Sequence, residues 1–425
     1  MQISALYSIF QQYPSIQTDS RQLKAGDLFF ALKGPNFNGN LFAKQALEAG
    51  AAYVVIDEPQ SFEDARIIST QDVLTTLQEL AKFHREQFSI PFVAITGSNG
   101  KTTTKELVYE VIASTYKTYT TKGNLNNHIG VPLTILSVQK DAELAVIEMG
   151  ANHQKEIESY CAYTLPTHGI ITNCGKAHLE GFGGEAGVRK GKGELFDYLR
   201  AHEGTAFIMN DYPYLVEMSE GIREIKTYGT QHAEVVGQVA NNEGLLKVEI
   251  MGDPVLNSIQ THLVGDYNLP NVLVAVAIGK YFKVPDDRIK TSLENYLPSN
   301  SRSQLVQIGT NKVVLDAYNA NPTSMKAAIE NFAKMEDSNK VLLLGAMMEL
   351  GDESIAEHEA LIALIHRYNW KAVVLVGGDF GKISQPYPYF TTSMEAREWL
   401  QSQAFEHAVL LVKGSRSMQM EKVLG

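Results

Sequence analysis

The chain has 425 residues, 44% hydrophobic and 20% charged, with 48 acidic against 37 basic side chains and a formal net charge of −11. Such a balance fits a soluble globular protein of two to four domains at the usual ~100–200 residues each. It excludes nucleic acid as the main partner, because a phosphate backbone needs a basic footprint, whereas a nucleotide needs only a local positive pocket. Two cysteines, Cys161 and Cys174, cannot build a disulfide framework, fit a reducing compartment, and read as buried small hydrophobes. The opening residues Met1–Leu6 carry no signal-peptide pattern, and no run approaches the ~18 apolar residues of a membrane span. A cytoplasmic protein without membrane insertion is expected.

In chain order, residues 1–88 hold strand-like runs at Asp27–Leu32, Tyr53–Ile56 and Arg66–Ile68, with a helical stretch from Phe42 to Ala49 closed by Gly50. This alternation predicts a small α/β domain, and a helix over Val73–Phe88 leads out of it. The apolar run Ile90–Ile95 then breaks at Thr96-Gly97-Ser98-Asn99-Gly100-Lys101-Thr102-Thr103, after which Leu107, Val108, Val111 and Ile112 recur at helical spacing. A strand, a tight turn and a helix N-terminus form a phosphate cradle, since turn N–H groups and the helix dipole both favour an anion. Gly97 and Gly100 let the backbone come close, Lys101 brings a point charge to the β/γ-phosphates, and Thr102 offers a hydroxyl to Mg²⁺. The glycines enclose two residues, Ser98 and Asn99, where the general P-loop pattern has four. Binding and use of ATP or GTP is the expectation.

From residue 89 to 298 strands alternate with helices. The runs Leu144–Ile147, Gly169–Thr172 and Ala206–Met209 imply a mostly parallel sheet covered on both faces. A polar, strand-rich patch from Glu234 to Leu263 precedes an apolar helix over Asn271–Phe282. The remainder repeats the α/β pattern with Val313–Leu315, Val341–Leu344, Val373–Val376 and Val409–Val412, whose C-terminal ends are where open parallel sheets place ligands. Leu297-Pro298-Ser299-Asn300 suits a hinge. The fold expected is α/β in three domains: a small N-terminal α/β domain (1–88), a central P-loop parallel-sheet domain of ATPase type (89–298) and a C-terminal Rossmann-like α/β domain (299–425).

Polar side chains gather at the strand ends. Glu148 follows Val146-Ile147 and is placed to hold Mg²⁺ beside a P-loop. His178, in Asn173-Cys174-Gly175-Lys176-Ala177-His178, reads as a loop histidine or as a metal or phosphate contact. Arg189, Lys190 and Lys192 could neutralise phosphate charge; a lysine in an apolar pocket could instead turn neutral and take up CO₂ as a carbamate. Asn124, Asn126, Asn127 and His128 crowd one turn and suit a polar ligand or a plain Asn/Gly loop.

Taken together, these segments resemble the Mur ligase family of ATP-dependent amide-forming enzymes over essentially the whole chain. The resemblance starts at Thr18-Asp19-Ser20-Arg21 and Gly26–Gly34 and includes Thr96–Thr103, which is the family's own shorter P-loop. It continues through Glu148–Asn152, Ala177–Phe182 and Gly265–Asn271. Asp316–Met325, Met348–Gly351 and Lys413–Arg416 point within it to the step that adds D-alanyl-D-alanine to UDP-N-acetylmuramoyl-tripeptide through an acyl phosphate. The resemblance implies that Gly97, Ser98, Asn99, Gly100, Lys101, Thr102 and Thr103 hold ATP. It implies two Mg²⁺ ions with Thr102, Glu148, His178 and a carbamylated Lys192 as donors; Lys190 competes for that modification. Asn268 and Asn271 match the adenine-side asparagines, Arg302 a phosphate-contacting arginine, and Asp316 a ribose contact. Ser20 and Arg21 would lie by the UDP end. Asn124 and Asn127 would meet substrate, with Tyr318, Asn319 and Asn321 in the cleft, and Lys413, Ser415 and Arg416 would face the peptide and dipeptide. Where many relatives carry Asp, this chain has Ala346. A monomer is expected, and the resemblance implies that residues 1–88 bind the UDP-substrate and that 299–425 bind the amine and close on ATP.

Overall fold

The structure, a computed structural model, describes residues 2–241, 244–299 and 301–425, Asn241 by its backbone alone. Met1 and the hinge residue Asn300 lie outside the described residues. Packing divides the chain into two compact units. The first comprises Met1–Ala94, Lys117–Gly150 and Glu158–Thr167, the second Ile95–Tyr116, Ala151–Ile157 and His168–Gly425. This division does not follow chain order, unlike the three domains read from the sequence.

The chain begins with α1 (Ile3–Gln12), β1 (Ile16–Gln17) and β2 (Leu28–Phe30). A hairpin of β3 (Lys33–Gly34) and β4 (Phe37–Asn38) follows, then α2 (Ala43–Glu48), β5 (Tyr53–Ile56), β6 (Ile67–Ser69) and α3 (Val73–Arg85). Strands β1-β2-β5-β6 pair in parallel in that order. Phe29, Ala31, Ala43, Ala46, Leu47, Val54 and Ile56 make the core of this layer. Asp72 caps α3 by accepting from the Thr75 amide at 2.6 Å. The helix buries Val73, Leu77, Leu80, Ala81 and His84, a stripe at helical spacing, and packs against α1 with its buried Leu6, Tyr7 and Phe10. Each fully buried Leu or Phe there contributes about 1.5–3 kcal/mol. His84 is held between the Tyr7 hydroxyl (3.1 Å) and the Val138 carbonyl (2.7 Å), and burial pushes its pKa down, so it packs as a neutral ring.

Strand β7 (Phe92–Thr96) runs into the glycine turn and α4 (Lys101–Ala113). Next come β8 (Thr118–Thr120), α5 (Gly130–Leu136), β9 (Leu144–Glu148) and α6 (Glu156–Thr164), with β8 and β9 parallel. The second unit continues with β10 (His168–Ile171), α7 (Leu179–Phe182), α8 (Glu185–Ala201), β11 (Thr205–Met209), α9 (Pro213–Met218) and β12 (Glu224–Gly229). Beyond them lie β13 (Val235–Asn241), β14 (Lys247–Ile250), β15 (Ile259–Gln260), α10 (Leu269–Tyr281) and α11 (Asp286–Asn295). Strands β10 and β11 pair in parallel, as the apolar runs predict; β12, which no run marks, and β13, from the polar patch, extend the parallel order, and the patch adds β14 and β15 as an antiparallel ribbon. Helix α10 is buried on every face from Val272 to Gly279, as an all-apolar helix must be. It crosses α4 so closely that a Cβ on Gly279 would lie 2.7 Å from Val111. Both cysteines are buried, and burial pushes the Cys174 thiol up to about 12.

The last segment contains β16 (Gln304–Ile308), β17 (Asn311–Asp316), α12 (Pro322–Lys334), β18 (Lys340–Gly345), α13 (Ser354–Ile365), β19 (Ala372–Val376), β20 (Tyr389–Phe390), α14 (Ser393–Gln403) and β21 (Val409–Lys413). Its sheet runs β16-β17-β21-β18-β19-β20 and is parallel except for the β16–β17 hairpin. The order reverses around β21, and the crevice at the C-terminal ends of β17, β21 and β18 is where such sheets bind ligands.

Candidate active site

Two glycines and the neighbouring strand exit set the shape of the glycine turn. Gly100 (φ +80°) starts α4 in the left-handed region, and Gly97 (φ +143°) passes so close to β10's exit that a Cβ would meet the Thr172 hydroxyl. The exit segment Thr172–Gly175 then braces the turn. Asn173 accepts from the Ser98 amide through its carbonyl (2.9 Å) and from the Asn99 amide through Oδ1 (3.1 Å). The Thr172 hydroxyl and Asn173 Nδ2 both donate to the Asn99 carbonyl, at 2.6 and 3.1 Å, and Ser98 Oγ donates to the Gly175 carbonyl at 2.9 Å. Lys101 Nζ folds back on the carbonyls of Gly97 (2.7 Å) and Ser98 (3.2 Å). The result is a preformed concave turn at a helix N-terminus with an ammonium at its rim, which suits a polyphosphate. Thr102 is buried at the start of α4 and Thr103 is half-buried beside it.

Behind the turn, Lys192 on α8 is 1% exposed. Its Nζ donates to the Ala151 carbonyl at 2.8 Å and lies 4.7 Å from the Phe182 ring centroid. Burial and the nearby Lys101 charge hold its pKa well below the ordinary lysine value. Lys190 is exposed, so the structure separates the two lysines that the sequence left in competition. His178 sits just before α7 with a left-handed backbone (φ +53°), and its Nδ1 bonds the Glu349 carboxylate. In the first unit, Glu148 ends β9 fully buried and accepts from Asn126 Nδ2 at 2.7 Å.

The segment after residue 300 touches the turn directly. Asn321 caps α12 through Oδ1 (2.9 Å to the Ser324 amide), while its Nδ2 donates to Asn99 Oδ1 at 2.7 Å. Thr323 Oγ1 accepts from the Lys176 amide at 2.9 Å, and Glu357 pairs with Lys176 Nζ at 2.5 Å. Replacing Asn321 by serine preserves a good cap but cannot reach Asn99. Loss of one hydrogen bond of about 1 kcal/mol is expected to weaken ADP binding roughly 5-fold with an unchanged melting temperature, measured by calorimetry and thermal denaturation. An unchanged affinity would show that the bridge does not shape the turn.

Other sequence candidates fall in different places. Asn268 and Asn271 are buried and bonded: Thr104 Oγ1 donates to Asn271 Oδ1 (3.0 Å), Asn271 Nδ2 to Asn268 Oδ1 (2.8 Å), and Asn268 Nδ2 to the Val264 carbonyl (2.9 Å). They tie α10 to α4 in this structure. Arg302 stacks on Tyr318 with its Cζ 3.6 Å from the ring centroid, and Arg416 approaches the same ring at 6.0 Å. Asn319 is exposed. Lys413 is buried against Asp316 (2.6 Å), because register places Asp316 and Lys413 side by side at the ends of β17 and β21. Ser415 is likewise buried, accepting from the Met348 amide (3.0 Å) and donating to the Ala320 carbonyl (3.3 Å). In the first unit, Arg21 is exposed and forks onto Asp19 at 2.7 and 2.8 Å, Ser20 is half-buried, and Asn124 is exposed. Asn127 Oδ1 accepts from the Ile129 and Gly130 amides (3.1 and 2.9 Å), closing the turn ahead of α5. The sequence puts Asn124, Asn126 and Asn127 in one turn and the resemblance gives substrate roles to the first and last; Asn126 is the one that reaches Glu148. Sequence reasoning missed Glu349 and Asn173.

Three family models match the chain: a Mur ligase family catalytic domain over residues 12–91, a Mur ligase middle domain over 95–279, and a Mur ligase glutamate ligase domain over 301–416. Among curated proteins, the UDP-N-acetylmuramoyl-tripeptide--D-alanyl-D-alanine ligase of Bacillus subtilis is 32% identical, covering 96% of this chain and 92% of its own. That of Escherichia coli is 34% identical with the same coverage. Among solved structures, MurF from Acinetobacter baumannii superposes with a TM-score of 0.87 at 30% identity, covering 96% and 92% of the two chains. MurF ligase from Thermotoga maritima in complex with ADP gives 0.87 at 26% identity, covering 96% of each.

Proposed function

The chain belongs to the Mur ligase family, and from that premise we propose that it uses ATP to join D-alanyl-D-alanine to UDP-N-acetylmuramoyl-tripeptide. The observation that carries this reading is similarity to ligases of that name over 96% of the chain. We read three domains in it, 1–88 for the UDP-substrate, 89–298 for ATP, and 299–425 for the amine and for closure on ATP, a reading supported by family-model matches over 12–91, 95–279 and 301–416.

A free carboxylate is a poor acylating agent because its leaving group would be oxide. Attack of the tripeptide carboxylate on the γ-phosphorus, with ADP leaving, gives an acyl phosphate. The dipeptide amine then attacks the acyl carbon, loses a proton and expels phosphate, leaving the amide. Residues Gly97 to Thr103 would cradle the phosphates, and Lys101 would exchange its loop carbonyls for them. Arg302 would leave Tyr318 to meet charge developing on the transferring group. Asp316 would serve the ribose, and Asn268 and Asn271 the adenine side, through the helix they position. Ser20 and Arg21 would lie at the UDP end, and Asn124, Asn127, Tyr318, Asn319, Asn321 and Arg416 along the substrate. Lys413 and Ser415 would act by holding the crevice in shape.

Among the described residues no group of three or more His, Cys, Asp or Glu is placed to hold a metal. Mg²⁺ commonly takes one or two protein donors and completes its shell with phosphate oxygens and water, so the hard oxygens of Thr102 and Glu148 are of the type it takes, and the family likeness adds His178 as a further donor. Bound there, it would neutralise charge on the phosphates. The surroundings of Lys192 also fit a carbamate. The Lys101 charge that disfavours an ammonium would favour an anion, and a neutral amine is the form that takes up CO₂. Among the described residues no helix is long and apolar enough to cross a membrane, and a cytoplasmic monomer completes the proposal.

Phosphate release from ATP is expected only when UDP-N-acetylmuramoyl-tripeptide and D-alanyl-D-alanine are both present, and near background when either is left out. Turnover without an acceptor would point instead to a switch-type ATPase. Turnover with a single diamino acid in place of the dipeptide would point to the preceding ligation step. Pairing each candidate tripeptide with the dipeptide then identifies its third residue.

A further inference from the structure

After β18 the chain turns through Ala346–Leu350, and this turn is fixed at two backbone amides. The Met347 amide donates to His358 Nε2 at 3.1 Å, and the Met348 amide donates to Ser415 Oγ at 3.0 Å. His358 is itself buried, with Nδ1 donating to the Ser354 carbonyl at 2.7 Å. The next residue, Glu349, adopts a left-handed backbone (φ +61°) and reaches His178 Nδ1 with its carboxylate. Its carbonyl accepts from the Glu180 amide at 3.4 Å, two residues past that histidine. Both partners thus hold φ values that a side chain rarely adopts, and such strain persists where surrounding structure enforces it, often at functional sites. An isolated surface ion pair would need neither.

The chemistry of the pair fixes a proton. A carboxylate can only accept, so His178 must donate through Nδ1, and a neutral ring then carries its lone pair on Nε2. We propose that Glu349 is a positioning residue: it locks His178 in the Nδ1–H tautomer and presents Nε2 to a divalent cation on the nucleotide phosphates. This rests on the reading of His178 as a metal donor. Carboxylate–histidine–metal relays of this kind set both ring orientation and ligand basicity. Here the two members lie 171 residues apart. The relay is therefore complete only while the turn after β18 is held against α7.

The test is ¹⁵N NMR of histidine-labelled, metal-free full-length protein at alkaline pH, with His178 assigned through His178→Gln. Wild type is expected to show Nδ1–H. Glu349→Ala is expected to move the proton to Nε2 in most molecules. Glu349→Gln, whose amide oxygen still accepts, is expected to keep it on Nδ1. The Glu349 side chain is 54% exposed, so neither variant threatens the fold. A wild-type ring carrying Nε2–H, or one unmoved by Glu349→Ala, overturns the proposal. Mn²⁺ titrated into the ADP-loaded protein and followed by electron paramagnetic resonance separates the two layers. Glu349→Ala is expected to weaken binding about 10–100-fold. Unchanged Mn²⁺ binding in His178→Gln would overturn His178 as a donor, and with it the purpose of the lock.

Discussion

Lys192→Ala is expected to lower ligase turnover by about 10²–10³-fold, the usual cost of removing one preorganised charge-stabilising group, and to regain part of it when a short-chain carboxylic acid is added. The reasoning starts from burial. An ammonium with 1% exposure and one carbonyl partner, facing the Lys101 charge, is an unstable arrangement for a cation and a stable one for a neutral amine or its carbamate. Alanine leaves a cavity beside Phe182 and the Ala151 carbonyl into which a small carboxylate can enter. Lys192→Met fills the same space and should be equally inactive but beyond rescue. Steady-state turnover with and without acetate or formate decides the matter. Full activity in the alanine variant would remove Lys192 from the mechanism.

Gly97→Ala should abolish measurable nucleotide binding while the rest of the molecule stays folded. An added Cβ would lie 2.0 Å from Thr172 Oγ1 and 3.0 Å from the Thr172 amide, on a backbone at φ +143°. Thr172 cannot rotate away freely, because its hydroxyl holds the Asn99 carbonyl at 2.6 Å. Overpacking of this kind costs about 1–3 kcal/mol, and here the cheapest relief is displacement of the turn itself. Calorimetric titration with ADP gives the readout. The double variant Gly97→Ala, Thr172→Ala removes the clashing hydroxyl and should recover part of the affinity, a coupling that a double-mutant cycle measures. Normal ADP binding by Gly97→Ala would show that nucleotide sits elsewhere.

Local signals carried most of the fold. Continuous apolar runs such as Val341–Leu344 and Val409–Val412 are strands because a parallel sheet buried on both faces leaves no polar face to alternate. Strand β16 was invisible for the opposite reason: it is an edge hairpin with exposed, mixed residues and no run to detect. The glycine turn announced itself, since Gly97, Gly100, Lys101 and Thr102 are adjacent in sequence. Helix phase, a signal the sequence reading left unused, distinguishes Lys192 from Lys190. Val188, Lys192, Leu195 and Leu199 repeat at 4, 3 and 4 residues and share α8's buried stripe, whereas Lys190 falls outside it. Asn99 with Asn321, 222 residues apart, and His178 with Glu349 leave no local trace, because only tertiary packing joins them. The partner of Lys413 was hidden for a similar reason. Its pairing with Asp316 follows from strand register, and register between distant strands is not written in either segment.

The two enclosed cysteines have a practical consequence. A thiol whose proton is held up to about 12 stays in the unreactive form near neutrality, and Cys161 is sealed in the interior. The native chain therefore offers a silent background for maleimide chemistry. A single cysteine introduced on the surface can carry a fluorophore or spin label without first stripping out either natural one.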